Sequence, residues 1–178
     1  MPRKKPGLAA IAALIFSTSI SVAQETSLPG GATSLNETHG DWRVTCATQE
    51  NIVRCAVSQV QTNSQNRQRV LSVELTATES GNAASGTLIL PFGLALDQGA
   101  VLSIDEGELL PPLRFSTCLP AGCLVPLTFN ADTVTAMRAG TALKVKTAAN
   151  DSEQEVNFSI SLSGFTSALA RAAALSGS

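Results

Sequence analysis

The chain has 178 residues, with 12 Lys and Arg, 14 Asp and Glu, and one His. Three of the basic residues, Arg3, Lys4 and Lys5, stand at the extreme N-terminus, which leaves nine basic against fourteen acidic residues and a net charge of −5. That balance excludes a basic stripe for nucleic acid or anionic lipid, and the scarcity of aromatics (six Phe, one Trp, no Tyr) argues against base-stacking or sugar-stacking platforms.

In chain order, the basic cluster of residues 1–6 is followed by an uncharged, mostly apolar run from Gly7 to Val22 and the small-residue pattern Ser21-Val22-Ala23. This predicts a secretory signal peptide over residues 1–23, cleaved after Ala23. The rival reading is a retained membrane anchor, but the run is short for a span of about 20 residues and is interrupted by Ser17, Thr18, Ser19 and Ser21. No Cys follows the cleavage point to take a lipid, and no later run is long enough to span a bilayer, so the mature chain is expected to be soluble. Residues 24–38, rich in Thr, Ser, Gly and Asn, read as a flexible leader. Residues 39–178 then suit one domain, large enough to bury about two-thirds of its unfolded surface.

From Gly40 onward, turn residues separate short runs with β patterning. Val44 and Cys46 open the first, and 52–60 forms the second. Leu71, Val73 and Leu75 alternate with Ser72, Glu74 and Thr76 in the third. Further strands are expected at 87–90, 100–104, 113–118, 124–129, around Leu143 and Val145, and at 156–162. Alternation of this kind means sheets with one wet face and antiparallel pairing. Two helices interrupt it. One is capped by Asn130, carries Asp132 in its first turn and Arg138 in its last, and stops at Gly140. The other is Ala-rich and runs from about Thr166 to Leu175. The expected architecture is all-β, a two-layer antiparallel sandwich of eight or nine strands with minor helices.

Cys46, Cys55, Cys118 and Cys123 are an even set in a chain expected to be exported, which reads as a disulfide framework. Three pairings are possible, and spacing favours the two local ones. Cys46 and Cys55 flank the turn-like Gln49-Glu50-Asn51; Cys118 and Cys123 enclose Leu119-Pro120-Ala121-Gly122. A redox pair or a zinc site is the alternative, but neither spacing is C-x-x-C.

Few residues suggest chemistry. His39, the only histidine, could serve a hydrolase as its base, but no G-x-S-x-G elbow accompanies it, and it reads as a polar residue at a strand entrance. Asp105, Glu106 and Glu108 form the one dense acidic cluster. A weak calcium site is conceivable, but the residues flank Gly107 as turn formers do and lack EF-hand spacing. Trp42 is expected to anchor the core, a binding role for the indole being the alternative. The run Gln59 to Gln68, with Arg67 and Arg69 beside it, reads as an exposed hairpin connection open to polar recognition. Phe92, in Pro91-Phe92-Gly93-Leu94, is expected to pack inward. No catalytic, metal-ligating or ligand-binding residue is assigned, and no cofactor is expected.

Four pieces in sequence resemble the invasion-associated locus B (IalB) family of exported bacterial proteins. They are Gly40-Asp41-Trp42-Arg43-Val44-Thr45-Cys46 with Arg54-Cys55; residues 90–99, LPFGLALDQG; Thr117-Cys118 through Gly122-Cys123; and residues 162–169, LSGFTSAL. The resemblance covers about residues 39–172. It implies an immunoglobulin-like β-sandwich in the periplasm or at the outer membrane, with a link to host-cell invasion in some members and no catalytic residues to carry over. The expected function is an envelope binding or interaction protein with a protein or envelope component as partner, possessing no evident mechanism of catalysis. An exported hydrolase built on His39 and a structural envelope protein are the alternatives. Neither pattern nor resemblance indicates an oligomeric state.

Overall fold

The computed structural model describes Met1, residues 28–78 and residues 80–176. The expected signal peptide and residues 24–27 of the leader lie outside the described residues. Among the described residues, ten antiparallel strands form two sheets. The larger has the order β1 (Ser34–His39), β2 (Trp42–Gln49), β3 (Ile52–Thr62), β4 (Arg69–Ala77), β5 (Ala84–Leu90), β8 (Gly122–Phe129), β7 (Thr117–Leu119). The smaller has the order β10 (Glu155–Ser161), β9 (Ala142–Ala148), β6 (Val101–Ile104). Helix α1 spans Ala131–Ala139, and α2 spans Phe165–Ser176. The mostly antiparallel β architecture, two short helices and two local disulfides agree with the alternation and the cysteine spacing.

Register shows how alternation becomes a core. Val44, Val57, Leu75 and Leu127 line up on one face of the larger sheet, and Val73, Leu88 and Val125 form the next row. All of these are buried. They share one core with Leu102, Leu143, Val145 and Ile160 of the smaller sheet and with Phe165, Ala168, Leu169 and Ala172 of α2. Ala168 and Ala172 let the helix backbone approach β2 and β3 closely, and each fully buried Leu, Ile or Phe contributes about 1.5–3 kcal/mol. Helix α1 is capped as expected: Asn130 accepts from the Thr133 N–H at 2.9 Å, and the Gly140 N–H donates to Ala136 O.

Three expectations need correction. Residues 34–38 are not part of a flexible leader, because β1 pairs with β2 from Ser34↔Ala47 to His39↔Trp42. Its inward position Glu37 is held by Arg171 of α2 through two 2.9 Å hydrogen bonds. Gln59 is not in an exposed connection. It is buried in β3, where its amide donates to Ser161 O (2.9 Å) and accepts from Ser161 N–H (3.2 Å), so one side chain does the work of a ladder rung. Gln61 repeats the device by donating to Ser159 O, and the actual connection is 63–68. Phe92 is 61% exposed. β5 ends at Leu90, and Gly93, with φ +89°, turns the chain so that Leu90 and Leu94 enter the core while Phe92 stays outside.

Candidate functional site

The side of the larger sheet opposite the core is uncovered by any other described element. Its rows follow from the register: Arg43–Ser58–Glu74–Thr87–Pro126, then Asn36–Thr45–Ala56 and Ser34–Ala47–Arg54. A further row is Val60–Ser72–Ile89–Leu124–Thr117. Half of these side chains are small or hydroxylated, and several others are polar or charged, as suits a solvated sheet face. The small ones sit between larger neighbours and leave depressions. One of about 480 Å³ is lined by Thr45, Ala47, Ala56 and Thr76, flanked by Ile52, Arg54 and Glu74, and reaches round the end of the sheet to Ala77 and to Ser176 of α2. A second of about 200 Å³ includes Arg43 and Val60, and a third of about 420 Å³ includes Arg69, Ser72 and Ile89. Ser58 lines all three, so they adjoin at one point, each with an arginine at its margin.

The charge on this face is uneven. Arg43, Arg54 and Arg69 oppose Glu74. Arg69 donates to Ala121 O, whereas the side chains of Arg43 and Arg54 make no ion pair or hydrogen bond among the described residues. Ile52 and Val60, 51% and 59% exposed, stand at opposite ends of β3 on the same face. A surface with three adjoining depressions, arginines at their margins and hydroxyls on their floors can hold an extended partner.

The residues singled out in the sequence lie elsewhere and serve the fold. His39 ends β1 and lies 3.3 Å from Glu37, which is bound to Arg171. The Arg171 guanidinium, and then His39, hold the Glu37 carboxyl below the usual range. In the acidic cluster, Asp105 accepts from the Thr141 hydroxyl and N–H and from the Ala142 N–H, and these bonds lower its pKa. Glu106 is paired with Lys144, which lowers it too. Asp105 thus ties the β6 turn to the start of β9, and its carboxylate is already satisfied. A carboxylate with a lowered folded pKa stabilises the fold above the ordinary value, about 4, and loses that contribution as pH falls through the folded value. The melting temperature is therefore expected to be flat above about pH 5 and to fall as the solution is acidified below about pH 4. Glu37→Gln should lower it at neutral pH and reduce that acid slope; an unchanged slope in thermal melts would count against the account.

The two bridges occupy different environments. Cys46–Cys55 joins directly paired residues of β2 and β3 on the core face, 1% and 4% exposed. Cys118–Cys123 joins β7 to β8 at the edge of the sheet, with Cys118 exposed and Cys123 buried. Thiol–disulfide exchange requires the attacking thiolate to reach a sulfur. In graded dithiothreitol followed by alkylation, Cys118 and Cys123 are expected to be labelled first while the fold persists. Earlier labelling of Cys46 and Cys55 would contradict the difference in access.

The four pieces that carry the family resemblance meet in pairs. The first and last converge: Asp41 N–H donates to Ser163 O at 3.0 Å, and Trp42 Nε1 donates to Ser161 O at 2.9 Å. The Trp42 and Phe165 rings lie 5.2 Å apart. The middle two converge where Leu90 pairs with Cys123 and Gly122 sits against Leu90 O. Arg43 and Arg54 belong to the same pieces but point to solvent on the open face. Sequence reading did not single them out. Their only signal was alternation, Arg43 and Thr45 falling between the inward Trp42, Val44 and Cys46.

Comparison with known proteins agrees with these junctions. A family model described as "Invasion associated locus B (IalB) protein" matches residues 42–173. The invasion protein B homolog of Brucella abortus (strain 2308) is 48% identical over 149 residues, covering 84% of this chain and 85% of that protein. Invasion protein B of Bartonella bacilliformis is 36% identical over 151 residues, covering 84% and 80%. The crystal structure of invasion associated protein B from Bartonella henselae superposes with a TM-score of 0.74 at 34% identity, covering 80% of this chain and 97% of that one. No helix among the described residues is long and apolar enough to cross a membrane. The family is named for invasion and not for an enzymatic reaction, and the chain belongs to it: it is a member of the invasion associated locus B family.

Proposed function

We propose that the chain is exported by residues 1–23, matures at Gln24, and works in the periplasm or at the outer membrane as an interaction protein acting by contact. The observation that supports this reading best is the open face. A sheet held by two disulfides and backed by a continuous core presents three adjoining hollows with no described element laid over them. The relatives' names supply the process, invasion. A hydrolase built on His39 has less support, because its side-chain partner among the described residues is Glu37, already committed to Arg171.

The test is complementation of a strain lacking the protein, scored by invasion of cultured host cells. Ser58→Tyr fills the point where the three hollows meet without changing charge. It should abolish complementation while the protein is still exported, folded and cut to begin at Gln24. His39→Ala should complement. Full activity of Ser58→Tyr, or loss confined to His39→Ala, would refute the reading.

A further inference from the structure

We propose that the open face binds an extended acidic peptide segment of a partner protein, with Arg43 and Arg54 as its two carboxylate contacts. This rests on the reading of the open face as the interaction surface and names the chemistry of its partner.

The fold leaves few of its cations without a partner. After the N-terminal cluster nine basic residues remain. Lys144, Lys146 and Arg171 pair with carboxylates, and Arg69 and Arg138 donate to backbone carbonyls. Arg67 lies in the β3–β4 connection and Arg114 between β6 and β7. Arg43 and Arg54 are therefore the two cations on the open face with no partner among the described residues, in a chain whose excess charge is negative. Nothing in the fold needs them to be charged.

Their spacing selects the ligand. Arg43 pairs with Ser58 and Arg54 with Ala47, so the two arginines are four residues apart along the strands and one strand apart across them. At about 3.3 Å per residue and 4.8 Å between strands, that is roughly 14 Å. In an extended peptide, side chains at i and i+4 lie on the same side and about 13 Å apart. Two acidic residues at that spacing can each meet a guanidinium, whose fork of donors matches a carboxylate. Between the arginines the floor is Thr45 and Ala56, cross-strand partners small enough to admit a backbone at close range. Ile52, at one end of β3, offers apolar contact. The face has no aromatic platform on which a sugar ring would stack, which favours peptide over acidic glycan.

The measurement is fluorescence anisotropy of the mature, disulfide-bonded protein with a labelled peptide carrying Glu at positions i and i+4 in a Val/Thr background. A Gln-for-Glu peptide, a heparin fragment and vesicles of anionic phospholipid are the controls. The Glu peptide should bind, weaken with salt, and bind at least tenfold more weakly to R43Q/R54Q, whose melting temperature should stay within a degree or two of the parent. Absence of binding, equal binding of the Gln peptide, or undiminished binding by R43Q/R54Q would overturn the proposal. So would tighter, arginine-dependent binding of heparin or vesicles. If Ser58→Tyr abolishes host-cell invasion while the Glu peptide fails to bind, the interaction face stands and this assignment of its partner falls.

Discussion

Replacing Trp42 by Ala is expected to destabilise the domain by about 3–5 kcal/mol, the range for a large aromatic removed from a packed core. Trp42 is 1% exposed, faces Phe165 at 5.2 Å and donates to Ser161 O, so it joins β2, the end of β10 and the first turn of α2 at once. The loss is a large part of the 5–15 kcal/mol that such domains possess, and thermal melting should fall by about 6–20 °C at about 2–4 °C per kcal/mol. Trp42→Phe separates packing from polarity. Ser161 O would still accept from Gln59 Nε2, so its cost should be nearer 1–2 kcal/mol. If Trp42→Ala melted within two degrees of the parent, the junction would not hold these elements together.

The second large effect is expected at Gly164. Its φ is +85°, and a Cβ there would lie 1.9 Å from His39 O, while a Cβ on Gly40 would lie 2.6 Å from Ser163 O. The β1–β2 turn and the linker into α2 are therefore pressed backbone to backbone, and neither neighbour is a side-chain tip that can swing away. Gly164→Ala adds a left-handed residue, costing about 1–2 kcal/mol, to a collision that must displace the turn. A total above about 3 kcal/mol is expected, against roughly 1–2 for Gly93→Ala, where φ is +89° and a Cβ meets open space. Equal losses in denaturant titrations of the two variants would show that the turn yields freely.

The parts of this fold that sequence reveals are those whose signal is local. Leu71, Val73 and Leu75 announce β4 because each sits two residues from the next, and Asn130 with Gly140 brackets α1. β1 escapes notice because only Leu35 among its inward positions is apolar. Glu37 takes an inward place by pairing with Arg171, 134 residues away. Gln59 reads as wet for the same reason: its partner, Ser161, is 102 residues distant. The open face is a limiting case. Alternation says that Arg43, Thr45 and Ser58 share a side of the sheet, but whether a second layer covers that side depends on where β6, β9, β10 and α2 settle. All four elements settle on the other side. Consequently the residues that carry the family resemblance proved to be mostly packing junctions, and the surface left free had no motif to mark it.

On the proposed reading, the uncovered side of the seven-stranded sheet is where this protein meets its partner. That reading is tested most directly by site-specific photo-cross-linking in intact cells. The cross-linking residue is placed either at Thr76, on the open face, or at Asn157, on the outer side of the smaller sheet. Both positions are exposed, so neither substitution disturbs the core. The account predicts a discrete higher-mass adduct from Thr76, lost on adding Ser58→Tyr, and none from Asn157. Adducts from Asn157 alone, or a Thr76 adduct indifferent to Ser58→Tyr, would contradict it.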